Sequence, residues 1–272
     1  MKPESWFQRL PLISVTNSKF MLLTLCFLLL MGSAYAAKTK KPAKTQATSE
    51  QQTPSGTQQA KPSTAGAASG DLAAVLAKMN QSSKGFKSAE GDFEFQSYQK
   101  LTEDTDTQKG RIYFRRKSGV DAAFDIAGPA PKQVVYKDGT LQIFEKKINQ
   151  VTERKVGQNK SDVEAFLSLG FGASGDDLKR DYDVRMDDWE MVDGVKTAKL
   201  DLTPKKAKVQ QTYNRIILWI DPERDVLLKQ QFFEHSGDYR LAHYTNMKLN
   251  EKISDDVFHL KTDGKTKTVK PQ

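Results

Sequence analysis

Apolar and polar residues alternate along most of the chain from residue 85 onwards, which is typical of strands with one buried face. Phe93 and Phe95 alternate with acidic and amide residues, and Ile112 and Phe114 alternate with arginine and tyrosine. Similar runs predict further strands at residues 122–126, 134–136, 141–143, 149–155, 182–189, 195–203, 213–220, 226–234 and 239–249. The pattern therefore predicts about ten to eleven strands.

Turn signals separate several of these strands. Gly128-Pro129-Ala130-Pro131 ends one strand, because proline has no N–H to donate to a neighbour. Asp138-Gly139 is a strong signal for a two-residue hairpin. Residues 216–220 are apolar on both faces, so we expect this strand to be covered on two sides. Strands adjacent in sequence are expected to pair as an antiparallel meander.

Two segments have the period of a helix instead. Asp71 is a suitable N-cap for a helix that closes near Gly85, and its apolar stripe consists of Leu72, Val75, Leu76 and Met79. Ser161-Asp162-Val163-Glu164 has the composition of a capping box, and it precedes the apolar cluster Phe166, Leu167 and Leu169. A short third helix is expected around residues 177–180.

These elements predict a mainly β fold of the α+β class. About ten strands with only two or three helices do not suit a layered α/β protein. The economical arrangement is a strongly curved antiparallel sheet, or incomplete β-barrel, of about ten to eleven strands with helices covering its concave side.

The N-terminus resembles an export signal. Residues 1–36 comprise a basic region, a short apolar run at 20–31 and the cleavage site Ala34-Tyr35-Ala36. The competing interpretation is an uncleaved anchor, since the basic region is long. Cys26 is the only cysteine and lies within the apolar run, so the mature chain is expected to lack disulfides and thiolate metal sites.

The next segment changes composition abruptly. Residues 37–70 are rich in Lys, Thr, Gln, Ser, Pro and Ala without apolar periodicity, and we expect a disordered spacer. Residues 71–272 are expected to form one folded domain. The chain carries a net charge of +8, but the signal and the spacer hold most of this excess. The folded part is nearly balanced, so the composition does not favour nucleic acid as a partner.

The candidate chemical groups do not form a reactive centre. Six carboxylates lie close together in the sequence, but lysine and arginine are interleaved with them, which favours a solvated surface: Asp176, Asp177, Asp181, Asp183, Asp187 and Asp188. His235, His243 and His259 lack spaced partner ligands. Lys205, Lys206 and Lys208 are expected at a hairpin tip, with an acidic partner or a lipid headgroup as the less favoured alternative. We expect no enzymatic activity, no metal and no cofactor.

One apolar stripe is a candidate binding surface. Its members would lie on one face of adjacent strands: Phe93, Phe95, Ile112, Phe114, Phe124 and Ile143. An ordinary close-packed core is one interpretation. The alternative is a ligand cavity, because the two apolar helices could cover this face and still leave space beneath them.

An ordered set of segments resembles the LolA family, the periplasmic carriers of outer-membrane lipoproteins. The segments are Gly110-Arg111-Ile112-Tyr113-Phe114-Arg115-Arg116, then Gly128-Pro129, Gln133-Val134-Val135-Tyr136-Lys137-Asp138-Gly139, Leu141-Gln142-Ile143-Phe144 and Tyr244-Thr245-Asn246-Met247-Lys248-Leu249-Asn250. The likeness covers roughly residues 72–261. The chain departs from the family's usual pattern with Lys117 after Arg116, and with Phe124 where a tryptophan is common.

The resemblance implies a function for the predicted fold. It implies a monomeric periplasmic carrier that binds the acyl chains of lipoproteins and makes transient contacts at the membrane. Its implied partners are an inner-membrane lipoprotein-releasing transporter and an outer-membrane acceptor. An arginine of the family latches the helical lid through backbone carbonyls, and Arg116 or its neighbour Arg115 occupies that place.

Three alternative functions stay open. The first is a periplasmic sensor or carrier of another lipid, acting in envelope-stress signalling or lipid transport. The second is a similar domain that hydrolyses or modifies a lipid, which would need a polar constellation inside the cavity. The third is a structural envelope protein without a saturable binding site.

Overall fold

One twelve-stranded sheet makes up most of the computed structural model, which describes residues 65–224 and 226–271. The predicted signal at 1–36 and the spacer up to residue 64 lie outside the described residues. The strands are β1 (Ser88–Gln99), β2 (Asp104–Arg116), β3 (Val120–Ala127), β4 (Lys132–Lys137), β5 (Thr140–Glu145), β6 (Gln150–Lys155), β7 (Tyr182–Val192), β8 (Val195–Pro204), β9 (Tyr213–Asp221), β10 (Val226–Glu234), β11 (Tyr239–Leu249) and β12 (Lys267–Val269).

The strand order joins two antiparallel meanders into one curved sheet. The order is β12-β6-β5-β4-β3-β2-β1-β11-β10-β9-β8-β7, so the first strand pairs with the eleventh at the centre. The edge strands β7 and β12 do not pair with each other, and the sheet stays unclosed. The predicted fold class, a mainly β protein with an incomplete barrel and few helices, is confirmed. The strand beyond the predicted eleven is β12, a short polar segment that runs parallel to β6.

The local turn chemistry explains the meanders. Asp138 and Gly139 have φ values of 51° and 73°, as the predicted two-residue hairpin between β4 and β5 requires. The apolar strand predicted to be covered on two sides is β9, in which every residue from Ile216 to Ile220 is buried.

In the described part of the chain, four α-helices accompany the sheet: α1 (Ala65–Gly85), α2 (Lys160–Leu167), α3 (Gly175–Asp181) and α4 (Ala207–Gln210). Helix α1 ends where predicted but begins at Ala65, six residues before the expected cap at Asp71. The Asp71 carboxylate instead accepts a hydrogen bond of 3.0 Å from the indole N–H of Trp189. This contact ties α1 to the edge strand β7.

The capping box predicted at Ser161 is wrong. A 3₁₀ turn at Gly157–Asn159 leads directly into α2, and Lys160 already has helical angles. No extended residue therefore precedes Ser161 that could act as an N-cap. A true capping box is found at α3, where the Ser174 hydroxyl accepts a hydrogen bond of 3.0 Å from the backbone N–H of Asp177.

The two faces of the sheet are covered differently. The helices pack on the face that carries Phe93, Ile112 and Phe114, which we call the inner face. The C-terminal segment covers part of the outer face, where Ile253 and Phe258 pack against Ala123 and Val135. The fold therefore has a large inner core and a small outer one.

Arg115 fastens the outer core. Its guanidinium donates hydrogen bonds of 3.0 Å and 2.7 Å to Asp121, and it also pairs with Asp255. It lies 4.1 Å from the centre of the Phe258 ring. Hydrogen bonds from Arg115 and Lys117 lower the pKa of Asp255. The Arg115 side chain thus connects the β2–β3 hairpin to the C-terminal segment.

Close approach of two strands at Gly110 gives the first prediction. A Cβ atom there would lie 2.0 Å from the Asp125 carbonyl oxygen and 3.0 Å from the Phe93 ring. Gly110→Ala should therefore lower the free energy of unfolding by about 3 kcal/mol, since the strands must separate to admit the methyl group. Urea denaturation measures this change. Gly85→Ala is the control, because nothing lies within 4 Å of its Cβ position; equal effects of the two substitutions would contradict the prediction.

Candidate functional site

Most of the predicted stripe lines one apolar cavity on the inner face. Five of its six residues surround the cavity: Phe93, Phe95, Ile112, Phe114 and Phe124. Strand register brings Ile112 opposite Phe124, and the rings of Phe93 and Phe124 meet edge to face at 6.1 Å. Ile143 is buried in the same core two strands beyond Phe124, and it does not line the cavity.

The opposite wall of this cavity comes from residues that the sequence stripe did not include. Phe171 stacks on Phe114 at 5.8 Å and meets the Tyr244 ring edge to face at 5.1 Å. Phe232 lies on β10, and the β1–β11 register places Tyr244 opposite Phe93. The alternating pattern of β10 and β11 includes Phe232 and Tyr244. Only the pairing of β1 with β11 shows that they line the same cavity as Phe93.

One polar pair lies within the apolar wall. The amide of Gln230 donates a hydrogen bond of 2.5 Å to the Tyr244 hydroxyl, while its own carbonyl oxygen is buried without a partner. Burial raises the pKa of the Tyr244 phenol, so this group stays neutral at ordinary pH. The pair can orient a polar atom of a ligand, and it lacks the nucleophile and base that acyl transfer requires.

The cavity is nearly full. Its volume is about 40 Å³, whereas pockets for drug-sized ligands measure roughly 300–1,000 Å³. Side chains from α2 and the following loop occupy the space, since Phe166, Leu167, Leu169 and Phe171 all line it. The described conformation is therefore a closed one, and a long ligand requires these side chains to move.

A second cavity lies directly beside the first. It has a volume of about 330 Å³ and lies between α2, α3 and the β2–β3 loop. Phe166 and Leu169 line both cavities and thus form the wall between them. Moving α2 outward would join the two spaces.

The predicted lid residues divide into two groups. Phe166, Leu167 and Leu169 cover the aromatic cavity directly. The stripe of α1 packs elsewhere: its members join the inner core near α3 and line neither cavity, namely Leu72, Val75, Leu76 and Met79. A Cβ atom at Gly175 would lie 2.4 Å from the Leu76 carbonyl oxygen, so α1 and α3 are in close backbone contact.

The loop after α2 depends on glycines with left-handed backbone angles. Gly170 has a φ angle of 86° and Gly172 has a φ angle of 72°, values that residues other than glycine rarely adopt. They flank Phe171 and place its ring between Phe114 and Tyr244.

The two arginines considered for the latch point to opposite faces of β2. Arg115 lies in the outer core, bonded to Asp121 and Asp255. Arg116 follows Ile112 and Phe114 on the inner face, and its guanidinium lies 5.8 Å from the centre of the Phe86 ring. Within residues 65–224 and 226–271, the Arg116 side chain makes no hydrogen bond to a lid carbonyl, so its role as a latch stays a prediction.

A different set of charges holds α2 in place. Lys208 approaches the Asp162 carboxylate at 3.2 Å, and Lys206 approaches it at 3.7 Å. Lys208 also donates a hydrogen bond to Asn159, and the Tyr136 hydroxyl lies 3.3 Å from Glu164. We call Asp162, Lys206 and Lys208 the lid clamp. Two lysines of the basic cluster expected at a hairpin tip, Lys206 and Lys208, thus form ion pairs with a carboxylate of the same chain.

The clamp continues into α3. Lys206 lies 3.3 Å from Asp181, which also accepts a hydrogen bond of 3.0 Å from Arg180. Burial raises the pKa of Asp181, but the hydrogen bonds from Arg180 and Lys206 outweigh it and hold the pKa below the ordinary value of 3.8. Several of the clustered aspartates are thus in ion pairs. In the part of the chain that the structure describes, no group of three or more His, Cys, Asp or Glu side chains could hold a metal ion.

Comparisons with known proteins find similar structures at low sequence identity. MucB is 18% identical, with a TM-score of 0.46 over 70% of this chain and 63% of its own. The Pseudomonas aeruginosa MucA/MucB complex contains a chain that is 17% identical, with a TM-score of 0.43 over 70% of this chain and 61% of its own. A LolA superfamily protein from Nitrosomonas europaea is 15% identical, with a TM-score of 0.35 over 70% of this chain and 97% of its own.

The sequence comparisons add little to this. The family whose profile matches residues 173–252 is described only as an uncharacterized protein. No curated protein matches the chain. The chain spans less than two thirds of the MucB chain that it resembles. The predicted resemblance is confirmed in that a LolA superfamily protein is among the similar solved structures. At these identities and TM-scores, no residue role carries over.

Among residues 65–224 and 226–271, none of the helices has both the length and the apolar character to cross a bilayer.

The lid clamp gives the second prediction. Asp162→Asn removes the two ion pairs that join α2 to Lys206 and Lys208, so amide exchange in residues 160–171 should accelerate about two- to fivefold, as expected for partly exposed ion pairs. Hydrogen–deuterium exchange with mass spectrometry measures this. Asp176→Asn is the control, because Asp176 is exposed and makes no ion pair among the described residues. Unchanged exchange in the Asp162 variant would show that the clamp does not hold α2.

The lowered pKa of Asp181 gives the third prediction. Its ion pairs contribute stability above the ordinary aspartate pKa, and this contribution is lost as the pH falls through the lowered value. Wild-type protein should therefore lose more thermal stability between about pH 5 and about pH 3 than Asp181→Asn, which cannot titrate there. Melting followed by circular dichroism at both values tests this. Equal losses in the two proteins would contradict the assignment.

Proposed function

We propose that this protein is a periplasmic carrier that binds the acyl chains of lipoproteins and moves them from the inner to the outer membrane without covalent chemistry. One observation carries the proposal: the inner face of an unclosed sheet presents a continuous aromatic surface that α2 and the loop after it cover. Such a surface suits an acyl chain, because its recognition requires apolar area rather than directed polar groups.

The energy of acyl-chain burial is sufficient to move the lid. Removing about fifteen methylenes from water contributes on the order of 12 kcal/mol at ~0.8 kcal/mol each. Opening α2 breaks the contacts of Phe166 with Tyr213 at 6.0 Å and with Phe232 at 5.3 Å. Loss of one buried aromatic side chain costs about 3–5 kcal/mol. A bound acyl chain would replace much of this apolar contact, so the exchange favours binding.

The lid clamp adds a small electrostatic contribution to the closed position of α2. Its ion pairs involve side chains that are partly exposed, 34% for Asp162 and 27% for Lys208. Ion pairs in such positions contribute about 0.2–1 kcal/mol each. The closed lid is thus held by apolar packing with a small electrostatic addition, and a ligand or an acceptor protein can shift its equilibrium.

The cellular role follows from the sequence resemblance. A carrier of this kind would receive cargo from an inner-membrane lipoprotein-releasing transporter and pass it to an outer-membrane acceptor, with only transient contacts at the membrane. The protein would act as a monomer. No catalytic step is part of the proposal.

A sensor of lipid or of mislocalised lipoprotein is the second candidate. The small cavity of about 40 Å³ supports a sensor as well as a carrier, because ligand binding must then change the position of α2. This conformational change could report occupancy to a regulatory partner as readily as it could release cargo. Stable capture of one envelope protein by the liganded form alone would favour the sensor.

Saturable uptake of an apolar probe is the fourth prediction. An uncharged naphthylamine dye should bind with one site per chain and gain fluorescence. Asp162→Asn should bind it about two- to fivefold more tightly, because less free energy is then needed to open the lid. Asp176→Asn should bind like the wild type.

Two results would contradict the proposal. Dye uptake that rises linearly without saturation would show that the protein has no specific binding site for the dye. Suppose that the amides of residues 160–171 exchange faster in Asp162→Asn but that its affinity for the dye is unchanged. Dye binding would then not depend on opening of the lid. Mass spectrometry of lipids that co-purify with the protein identifies the cargo.

A further inference from the structure

The inner-face row of β2 changes from apolar to cationic at its end. Ile112, Phe114 and Arg116 occupy alternate positions of one strand, so their side chains share the inner face. Ile112 and Phe114 are buried in the aromatic cavity, whereas Arg116 is half-buried at the wall of the second cavity. A ligand along this row would meet apolar side chains first and a guanidinium last.

Arg116 is also the boundary between two spaces. It lines the cavity of about 330 Å³ beneath the lid, and it lines an open groove of about 850 Å³ outside. The groove runs between the start of β1, the β2–β3 loop and residues 250–255. A molecule could therefore extend from the aromatic cavity past Arg116 into solvent-accessible space once α2 has moved.

The charge of Arg116 is not neutralised within the described part of the chain. Its side chain makes no hydrogen bond or ion pair among residues 65–224 and 226–271, and its guanidinium lies 5.8 Å from the centre of the Phe86 ring. Lys87 and Lys252, which line the same groove, also make no ion pair among those residues. Three cations without an ion pair among the described residues thus line the groove, beside Arg115 and Lys117, which pair with Asp255.

The acidic residues of the groove are already engaged. Asp255 pairs with Arg115 and lies 3.3 Å from Lys117, and Glu251 lies 3.5 Å from Lys248.

On the cavity side, the carboxylates nearest to the lid have partners as well. Asp162 is held by the clamp, Asp177 and Asp181 by Arg180, and Glu164 by Lys160 at 3.7 Å. An anion at Arg116 would therefore find an available donor without displacing an ion pair.

We propose that the preferred ligand is an anionic amphiphile whose acyl chain lies in the aromatic cavity and whose phosphate or carboxylate group pairs with Arg116 at the groove. This inference rests on the acyl-chain binding of the proposed function and extends it to an anionic lipid, since the glyceryl-cysteine anchor of a lipoprotein carries no phosphate. A planar guanidinium suits such groups, because it can donate two parallel hydrogen bonds to one oxyanion. Lys87 and Lys252 add long-range attraction at the entrance.

Two amphiphiles with the same acyl chain test the proposal, the fifth prediction. Lysophosphatidylglycerol carries an anionic phosphate, whereas the monoacylglycerol with the same acyl chain is uncharged and has no phosphate. Displacement of the uncharged dye, below the micelle concentration of each lipid, should show about tenfold tighter binding of the anionic lipid. Arg116→Gln should weaken the binding of the anionic lipid about tenfold and change the binding of the uncharged one less than about twofold. Arg116→Lys should retain part of the preference, because it keeps the charge.

Arg111→Gln is the matched control, since Arg111 lies on the same strand but on the outer face, near Glu90 and Asp92. It should leave both affinities unchanged. Melting temperatures of all variants confirm that they are folded.

The outcomes separate the inference from the function on which it rests. Equal affinity for both lipids, or an equal loss for both in Arg116→Gln, would overturn the headgroup site while leaving the acyl carrier in place. Binding of inorganic phosphate as tightly as the anionic lipid would show an anion site without a link to the cavity, and it would also overturn the inference. Failure of both lipids to displace the dye would overturn the proposed function itself.

Discussion

The pairing of β1 with β11 is the contact on which the rest of the structure depends. It joins two meanders that are far apart in the sequence, and it places Phe93 opposite Tyr244 and Phe95 opposite Ala242. The inner face becomes one continuous apolar surface only because of this pairing. Without it, each meander would expose a row of aromatic side chains, which would favour aggregation.

A continuous apolar surface must be covered, and the cover determines what the protein can do. Here α2 and the loop with Gly170 and Gly172 place aromatic and aliphatic side chains onto the inner face. The closed form gains their hydrophobic burial, and an acyl chain would offer the same kind of burial in exchange. Because the proposed liganded form would be held by contacts similar to those of the closed form, small terms such as the lid clamp could decide the balance between them.

The neighbours Arg115 and Arg116 show how a strand separates two tasks. Successive side chains of a strand point to opposite faces. Arg115 therefore enters the outer core and fixes the C-terminal segment through Asp121 and Asp255, while Arg116 faces the inner cavities. The sequence resemblance could not choose between them for a role at the lid. The face of the sheet supports Arg116 for the proposed contact with a ligand, because only Arg116 of the two lines the cavity beneath α2.

The amino-acid sequence by itself determined the strands, the Asp138-Gly139 hairpin and most of the aromatic stripe, because period-two alternation and turn chemistry act within a few residues. It could not show the start of α1, the cap of α2 or the contribution of Phe171, Phe232 and Tyr244 to the cavity. Those features depend on contacts between distant segments, such as that of Asp71 with Trp189. Whether the inner face is hollow or filled was also decided by the tertiary structure alone, since free volume depends on how side chains from every element pack together.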